Sequence, residues 1–447
     1  TATTEIYTLS LHDALPICTS KIYTSLTMYA SKNQRVTLPD VPKVKGYTNL
    51  GWTTEKGETE LEYSAGDTVK ITKATQFYAV RRKSNYYTVS YYLGNGSTNA
   101  AYQKLTQTVE EGTVVTFAKV PARTGYVNQG WSSKKNSEKA TAKAKCTVNK
   151  NITLYAVQKK AVQLTFHRCD GSTWQKTTLA KGSSYSLPGV RDAEGYTFMG
   201  WSTKPMQSVS PQYEAEEKIT VNGNVDLYAV VFNRTTETDL TEDQLPQVDI
   251  YKYKQVIFVG DSRTEFMENV LTGMGESATK NVKFVCSAGK GLDWFTTTGW
   301  AQLYSIVQHD SNSILSKKTA VIFNFGVNDL SKSADYAEYY NWIAPQLKSK
   351  GCELYFMSVN PVNRLMLPNA GRADRSEAAV RSFNQYMKAN LSSAYTYIDM
   401  YSYLKSTGYS FASDHYGTGT VDDGLHYTTR TYKRIFAKCM DSLRVPA

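Results

Sequence analysis

The first half of the chain alternates apolar and polar residues over short stretches separated by Gly and Asn. Residues 36–39 (VTLP) and 185–188 (YSLP) are examples. A period of two places successive side chains on opposite faces of a strand. The pattern therefore predicts short, half-buried β-strands.

From about residue 251 the pattern changes to compact apolar runs that alternate with stretches of helical spacing. The predicted strands are 255–259, 281–286, 319–325, 353–359 and 395–398, and the predicted helices are 336–347, 375–391 and 428–443. Alternating strands and helices favour a parallel sheet with helices on both faces. Because active sites of such α/β folds lie at the carboxyl ends of the strands, we expect functional residues directly after them.

One motif recurs three times in the first half. Gly-Tyr-x-x-x-Gly-Trp begins at residues 46, 125 and 195, and each copy precedes a strand that ends in Tyr-Ala-Val, at 77–80, 154–157 and 227–230. A period of about 75 residues is longer than the units of solenoid proteins. We therefore expect each copy to be a small domain of its own.

These copies resemble the internalin-type B repeat, also called the Listeria–Bacteroides repeat, in the motif and in the closing strand. The resemblance implies small, β-rich, β-grasp-like modules of a bacterial surface protein at 20–83, 84–160 and 161–233, the first of them partial. It also implies a spacer or adhesive role, with cell-wall polymers as partners. We interpret Trp52, Trp131 and Trp201 as core residues, with ligand-binding platforms as the alternative.

Two segments lie outside these domains. Residues 4–17 (TEIYTLSLHDALPI) resemble a translated sequencing adapter. We therefore expect 1–19 to be an artefact or disordered, and the true N-terminus with its signal peptide to be missing. The polar, acidic stretch 233–249 predicts a linker at 234–250, which places the last domain at 251–447.

Composition and charge restrict the partners. The 447 residues carry a net charge of +11 and include 33 tyrosines, which is typical of a β-rich extracellular protein. The lysines are scattered and no nucleic-acid-binding motif accompanies them, so we expect no nucleic-acid partner. No apolar run is long enough for a transmembrane segment. The six cysteines form no CxxC pair, which argues against a zinc site and leaves open one bridge, between Cys146 and Cys169.

Three short motifs supply the candidate chemistry. They are Gly260-Asp261-Ser262-Arg263, Gly326-Val327-Asn328-Asp329 and Asp423-Gly424-Leu425-His426. The first two directly follow predicted strands, and the third precedes the last predicted helix. A serine at a strand-to-helix turn exposes its hydroxyl, an Asn amide can donate to an oxyanion, and a carboxylate can orient a nearby histidine. Each motif alone is also ordinary turn or helix-cap chemistry, and only their combination favours a catalytic site.

The order Ser, Asn, Asp, His resembles the SGNH (GDSL-like) hydrolase family, whose blocks are Gly-Asp-Ser, a glycine, Gly-x-Asn-Asp and Asp-x-x-His. The resemblance covers 251–443 and implies a three-layer, flavodoxin-like α/β domain with a parallel sheet. It implies Ser262 as the nucleophile, His426 as the general base and Asp423 as the group that orients His426. It implies no metal and no cofactor.

The same resemblance implies an oxyanion hole made of the Ser262 N–H, Asn328 and a glycine. We prefer Gly291 for that glycine, with Gly289 as the alternative.

Other polar residues near the motifs have open roles. Asp261, Arg263 and Asp329 are candidates for contact with substrate. Arg263 would meet an anionic substrate or pair with a surface acid. Asp422 is the alternative carboxylate for orienting His426.

The predicted function is that of a secreted or cell-surface serine esterase that hydrolyses carboxylic esters through an acyl-enzyme. Because the hydrolase-like domain follows surface-type repeats, we expect it to deacetylate a glycan, so that an acylated carbohydrate or a small ester is the substrate. Lipid or short-chain ester hydrolysis, acyl transfer and non-enzymatic surface adhesion are the alternatives.

Overall fold

A computed structural model describes residues 6–13, 27–249, 252–310, 318–367, 375–412 and 423–443. The chain divides into two compact units, Thr1–Ala161 and Val162–Ala447. The first unit contains the first two repeats. The second unit contains the third repeat together with the C-terminal domain.

The repeats consist of β-strands and one short helix, α1 (Ala100–Gln103). The strands are β1 (Ile6–Asp13), β2 (Met28–Ser31), β3 (Arg35–Thr37), β4 (Tyr47–Thr53), β5 (Thr68–Lys70), β6 (Thr75–Lys83), β7 (Tyr86–Tyr92), β8 (Gln107–Glu110), β9 (Thr113–Thr116), β10 (Tyr126–Ser132), β11 (Lys145–Val148), β12 (Ile152–His167), β13 (Thr173–Ala180), β14 (Ser183–Ser186), β15 (Tyr196–Ser202), β16 (Lys218–Val221) and β17 (Val225–Asn233). The long strand β12 closes the second repeat and opens the third.

Every repeat has a four-stranded sheet and a separate two-stranded sheet. The larger sheets have the orders β2-β1-β6-β4, β8-β7-β12-β10 and β13-β12-β17-β15, and the smaller ones are β3–β5, β9–β11 and β14–β16. The two central strands of each larger sheet run parallel. The predicted class, three small β-grasp-like repeats, is confirmed.

The repeated motif has a structural reason in each copy. Its second glycine lies at a β-bulge with φ of 151° at Gly51, 122° at Gly130 and 143° at Gly200. A Cβ atom at Gly51 would lie 2.3 Å from the carbonyl oxygen of Tyr63. The bulge and the close approach therefore both require glycine.

The tryptophan that follows this glycine fills the core of its module. Trp52, Trp131 and Trp201 are at most 6% exposed. Each indole N–H donates to a backbone carbonyl thirteen residues earlier, at distances of 2.8, 2.6 and 2.8 Å. Buried indoles need such a partner. The interpretation of these residues as core is confirmed.

The expectation that residues 1–19 are disordered is wrong for β1. This strand pairs in parallel with β6, from Leu9 opposite Thr75 to Asp13 opposite Ala79. Leu9 and Leu11 are buried, two positions apart on the face that meets the core of the first repeat. β1 therefore occupies the position in the first repeat that β7 occupies in the second.

The C-terminal domain alternates strands and helices. Its strands are β18 (Tyr253–Gly260), β19 (Val282–Cys286), β20 (Lys318–Asn324), β21 (Cys352–Met357) and β22 (Tyr395–Ile398). Its helices are α2 (Ser262–Met274), α3 (Glu276–Thr279), α4 (Leu292–Trp294), α5 (Trp300–Asp310), α6 (Ser333–Ser349), α7 (Glu377–Asn390), α8 (Met400–Thr407) and α9 (Thr429–Ser442). A π-helical turn, Phe295–Gly299, joins α4 to α5.

These five strands form one parallel sheet in the order β19-β18-β20-β21-β22. Ile257 and Val259 face one apolar cluster, and Val256 and Phe258 face the other. Burial of both faces explains why the strands are continuous apolar runs. The strand order reverses between β18 and β20, which opens a crevice at their carboxyl ends. The predicted α/β class is confirmed.

The stretch 234–250 differs from the predicted linker, because its described residues pack against the C-terminal domain. Glu237 is 5% exposed. Its carboxylate accepts from the Arg434 guanidinium at 2.9 Å and from the hydroxyls of Ser410 and Thr431, each at 2.5 Å. Polar composition predicted a solvated linker, but these partners come together only in the folded domain.

The third repeat also packs on the C-terminal domain. Its Met199, Val230 and Phe232 belong to the same apolar cluster as α9. The buried Lys405 ammonium lies 2.9 Å from a Glu214 carboxylate oxygen of the repeat and 2.8 Å from a Glu377 carboxylate oxygen of α7. Burial alone lowers the pKa of Lys405, but the two carboxylates raise it above its usual value.

We expect Lys405→Ala to destabilise the unit formed by the third repeat and the C-terminal domain. Removing the ammonium leaves the buried Glu377 carboxylate and the half-buried Glu214 carboxylate without their shared cation, which costs about 3–5 kcal/mol. Chemical denaturation of the full chain measures the change. Lys332→Ala is the control, because Lys332 pairs with Asp293 at the exposed surface and should change stability little. Equal effects of the two substitutions would contradict the prediction.

Candidate active site

The predicted nucleophile lies where β18 turns into α2. Ser262 is the first residue of α2, and the Asp261 side chain caps the helix by accepting from the Arg263 N–H at 3.0 Å. A Cβ atom at Gly260 would lie 1.9 Å from the Thr264 hydroxyl oxygen. Only glycine therefore lets the strand turn so sharply into the helix. The turn places the serine at the carboxyl edge of the sheet.

Ser262, His426 and Asp423 form a hydrogen-bonded chain. His426 Nε2 lies 2.9 Å from Ser262 Oγ, and His426 Nδ1 lies 2.6 Å from Asp423 Oδ2. The three residues are 6%, 3% and 2% exposed, respectively. Low exposure strengthens such electrostatic contacts. The structure thus brings together the three residues that the sequence selected, although Asp423 lies 161 positions after Ser262 in the chain.

The loop around Asp423 holds its carboxylate in place. Asp423 Oδ1 accepts from the N–H groups of Leu425 and His426 at 2.8 and 2.7 Å, which leaves Oδ2 for the imidazole. Gly424 has φ of 67°, and a Cβ atom there would lie 2.4 Å from the Asn363 carbonyl oxygen. The glycine in this motif is therefore needed for the turn.

Asn363 is a site residue that sequence reasoning missed. Its N–H donates to the Gly424 carbonyl at 2.8 Å. Its side-chain amide donates to Asp192 Oδ1 at 2.8 Å and to the Val190 carbonyl at 3.1 Å, both in the third repeat. Asn363 therefore connects the repeat to the loop that carries Asp423 and His426. No local sequence signal marks it, because its partners are distant in the chain.

Asn328 and Gly291 lie side by side after β20 and β19. The Asn328 amide donates to the Lys290 carbonyl at 2.8 Å. Asp329 Oδ2 accepts from the Leu292 N–H at 2.9 Å, and a Cβ atom at Gly291 would lie 2.3 Å from that oxygen. These contacts place Gly291 against the Gly-x-Asn-Asp turn, which favours it over Gly289 as the glycine of an oxyanion hole.

Arg375 is a second residue that the sequence did not indicate. Its Nη2 donates to Asn328 Oδ1 at 2.7 Å, and its Nε donates to the Val327 carbonyl at 3.1 Å. Because the amide oxygen is held by the guanidinium, the amide nitrogen is the end that turns toward Lys290 and Gly291.

The sequence left Arg263 to meet an anionic substrate or to pair with a surface acid, and in the structure its guanidinium contacts backbone carbonyls. Arg263 is 2% exposed, and its guanidinium donates to three backbone carbonyls. These are Leu425 at 3.0 Å, Asn360 at 2.9 Å and Pro361 at 2.9 Å. The side chain points behind Ser262 into the domain, where it joins α2 to two loops. A local motif cannot show which way a side chain points.

Asp261 and Asp329 also support the site from within. Asp261 is 1% exposed and caps α2. Burial raises its pKa to about 6, even though Arg263 lowers it. Asp329 accepts from the Tyr336 hydroxyl at 2.7 Å with the oxygen that Leu292 does not use. Both carboxylates thus position loops, and the expectation that they face substrate is not supported by these contacts.

The remaining expectations concern metals, thiols and Asp422. No cluster of three or more His, Cys, Asp or Glu that could hold a metal occurs in the part of the chain that the structure describes. Cys146 and Cys169 are both free thiols, so the bridge left open between them is absent. Asp422 lies outside the described residues.

Two family models match the chain. The Listeria-Bacteroides repeat domain matches residues 20–80, 87–157 and 163–230, and the GDSL-like lipase/acylhydrolase family matches residues 256–439. The C-terminal domain is a GDSL-like lipase/acylhydrolase domain. It follows three Listeria-Bacteroides repeats, and both resemblances drawn from the sequence are confirmed.

Two curated relatives of Evansella cellulosilytica match parts of the chain. One, named as a Gly-rich membrane protein, is 28% identical over 186 residues, which are 41% of this chain and 20% of the relative. The other, named as a membrane protein, is 25% identical over 192 residues, 43% of this chain and 27% of the relative. The chain thus spans only a minor part of either relative. Within the described ranges, no helix has the length and apolar character that crossing a bilayer requires.

The acylhydrolase domain is similar to several solved structures. A protein described as an acylhydrolase of Bacteroides fragilis is 16% identical, with 45% of this chain and 92% of that chain covered and a TM-score of 0.31. An acetyl xylan esterase is 10% identical, with coverages of 42% and 100% and a TM-score of 0.30. The catalytic domain of a Streptococcus pneumoniae peptidoglycan O-acetyltransferase is 16% identical, with coverages of 43% and 92% and a TM-score of 0.27.

We expect Asp261→Asn to make the stability of the acylhydrolase domain less dependent on pH. A folded-state pKa of about 6, above the unfolded value of 3.8, means that the stabilising effect of the protonated carboxyl is present below pH 3.8 and is lost as pH rises through 6. Asn also caps helices, so the variant should match the wild type near pH 4 and exceed it by about 1–3 kcal/mol near pH 8. Denaturation at both pH values measures the difference.

A variant that is equally destabilised at both pH values would contradict this assignment. Asp399→Asn is the control, because Asp399 also caps a helix, α8, but is exposed to solvent.

Proposed function

We propose that the acylhydrolase domain is a serine esterase that works through an acyl-enzyme. The observation that carries this proposal is the 2.9 Å contact between Ser262 Oγ and His426 Nε2, with Asp423 behind the imidazole at 2.6 Å. His426 takes the hydroxyl proton while Ser262 attacks the ester carbonyl. His426 then gives the proton to the leaving alcohol, and Asp423 stabilises the imidazolium between these steps.

The negative charge of the tetrahedral intermediate falls on the carbonyl oxygen. The Ser262 N–H lies at the first position of α2, and the N-terminus of a helix favours an anion. The Gly291 N–H and the Asn328 amide complete the oxyanion hole in this proposal. Water, activated by the same His426, then resolves the acyl-enzyme.

We further propose that the substrate is an acetylated glycan at or outside a bacterial cell surface. The repeats that precede the domain, the net charge of +11 and the richness in tyrosine support this location and substrate. The charge would favour association with anionic cell-wall polymers.

The first test is hydrolysis of p-nitrophenyl acetate and butyrate by the full chain, beside Ser262→Ala. We expect hydrolysis that the substitution abolishes, with acetate preferred, because truncating a triad serine removes almost all of kcat. Ser402→Ala, in α8, is the matched control and should retain activity. Hydrolysis that persists in Ser262→Ala would exclude Ser262 as the nucleophile.

Acetate release from acetylated xylan and from O-acetylated peptidoglycan tests the glycan substrate. Release that depends on Ser262 would support it. Preference for long-chain esters would favour a lipid esterase. Acetyl transfer to an added sugar, without free acetate, would favour a transferase.

We expect Asn328→Ala to lower kcat about 10²–10³-fold with little change in KM, because loss of one oxyanion donor affects mainly the transition state. Asn341→Ala is the control, since Asn341 lies in the middle of α6 and bonds to Asn390 at the end of α7 and to Ser392 just beyond it. Thermal melting of both variants checks that Asn328 does not act through stability. An increase in KM with unchanged kcat would contradict the oxyanion role.

A further inference from the structure

In the first two repeats, a polar pair ties the loop before the motif to the sheet. The Asn49 amide donates to the Val41 carbonyl at 2.6 Å, and Arg81 donates to Asn49 Oδ1 at 2.9 Å and to the Pro42 carbonyl at 2.8 Å. In the second repeat, the Asn128 amide donates to the Val120 carbonyl at 2.7 Å. The Gln158 amide donates to Asn128 Oδ1 at 2.7 Å and to the Pro121 carbonyl at 3.1 Å.

The third repeat has lost this polar pair. At the motif position of Asn49 and Asn128, the third repeat has Phe198. The cross-strand partner of this position is Val231, where the first two repeats have Arg81 and Gln158. Arg191 takes the place of Pro42 and Pro121. All three replacements line a cavity of about 200 Å³ in the third repeat. The loop is held instead by Asp192, which accepts from the Phe198 N–H at 3.0 Å and from the Arg234 guanidinium at 2.7 Å. The bond from Asn363 to the Val190 carbonyl adds a contact with the acylhydrolase domain.

The walls of this cavity are aromatic and its rim is basic. Trp174 is 39% exposed and stacks on Trp201, with ring centroids 5.8 Å apart and an interplanar angle of 12°. Tyr196, 43% exposed, and the exposed Arg168 and Arg191 also line the cavity. A cavity of about 150 Å³ accepts one benzene ring, so this one has room for a single six-membered ring.

These walls have the chemistry to bind a sugar. The flat apolar rings can cover the C–H face of a sugar ring, while a few polar groups at the rim fix its orientation. Guanidinium groups pair with carboxylates through two parallel hydrogen bonds. The basic rim therefore favours a sugar that carries a carboxylate.

The loop after β21 contacts both the cavity and the helix of Ser262. The Arg191 guanidinium, at its rim, donates to the Leu365 carbonyl. Five residues earlier, the Asn360 carbonyl accepts from Arg263, the neighbour of Ser262. Five residues of extended chain reach at most about 18 Å, so one short loop joins the rim to the site.

We propose that the third repeat carries a glycan-binding subsite, formed by Trp174, Tyr196, Phe198 and the two arginines, that holds an acidic sugar ring of the chain being deacylated. The glycan identity of the ligand rests on the proposed function; the existence of the subsite does not. The subsite raises the local concentration of polymeric substrate next to Ser262.

The test is binding of a galacturonic acid hexamer to the full chain carrying Ser262→Ala, followed by tryptophan fluorescence and calorimetry. We expect binding that weakens about tenfold or more in Trp174→Ala and in the double variant Phe198→Asn/Val231→Gln. The double variant restores the residue pair of the second repeat, so it should close the cavity without unfolding the module. Trp342→Ala, an exposed tryptophan on α6, is the control and should bind normally.

Hydrolysis of p-nitrophenyl acetate by the chain with Ser262 intact separates the two proposals. We expect Trp342→Ala to leave it unchanged, because this exposed tryptophan on α6 lines neither the cavity nor the triad. Binding without hydrolysis would support the subsite and reject the esterase. The subsite is rejected if the hexamer does not bind, if the cavity variants bind it as well as the parent chain does, or if xylohexaose or decanoate binds more tightly than the acidic hexamer.

Discussion

The arrangement of the candidate active site depends on the hydrogen bonds that the buried Arg263 guanidinium donates. It lies one residue beyond Ser262 and holds the carbonyls of Leu425, Asn360 and Pro361. A charge taken out of water is tolerated only when its donors are satisfied, and three carbonyl acceptors do this here. Helix α2, the loop after β21 and the loop of His426 are therefore fixed relative to one another.

The third repeat extends this framework. Asn363 bonds to Gly424 beside Asp423 and, through its side chain, to Asp192 of the repeat. Asp192 in turn accepts from Arg234 at 2.7 Å. The repeat and the acylhydrolase domain are thus joined by buried polar contacts and by a shared apolar cluster. The sequence predicted that each repeat is a small domain of its own, but the third repeat shares its apolar cluster and its polar contacts with the neighbouring domain.

Much of the fold could be predicted from local patterns. In the repeats, the alternation of apolar and polar residues predicted the strands, because each strand buries one face. In the C-terminal domain, continuous apolar strands that alternate with helices predicted the parallel sheet, because its strands bury both faces. The boundaries of β22 agree with the prediction, and those of α6, α7 and α9 shift by one to three residues. A helix was expected after Ser262, but the range of α2 was not predicted, because its polar residues interrupt the apolar spacing and only Met267 and Leu271 are buried apolar residues. The strand β1 was misjudged from its resemblance to a foreign sequence, although its alternating leucines carry the ordinary signal.

The candidate site likewise has residues that the sequence predicted and residues that only the structure revealed. By itself, the sequence determined that Ser262, Asn328, Asp423 and His426 are the candidate site residues. Each lies in a short motif whose neighbouring residues indicate its chemistry. Only the tertiary structure decided the roles of Arg263, Asn363 and Arg375. It also places Gly291, which the sequence already preferred over Gly289, against the Asp329 side chain. The partners of Arg263, Asn363 and Arg375 are carbonyls and amides from distant parts of the chain, and no local pattern records the direction of a side chain or the loop that folding brings against it.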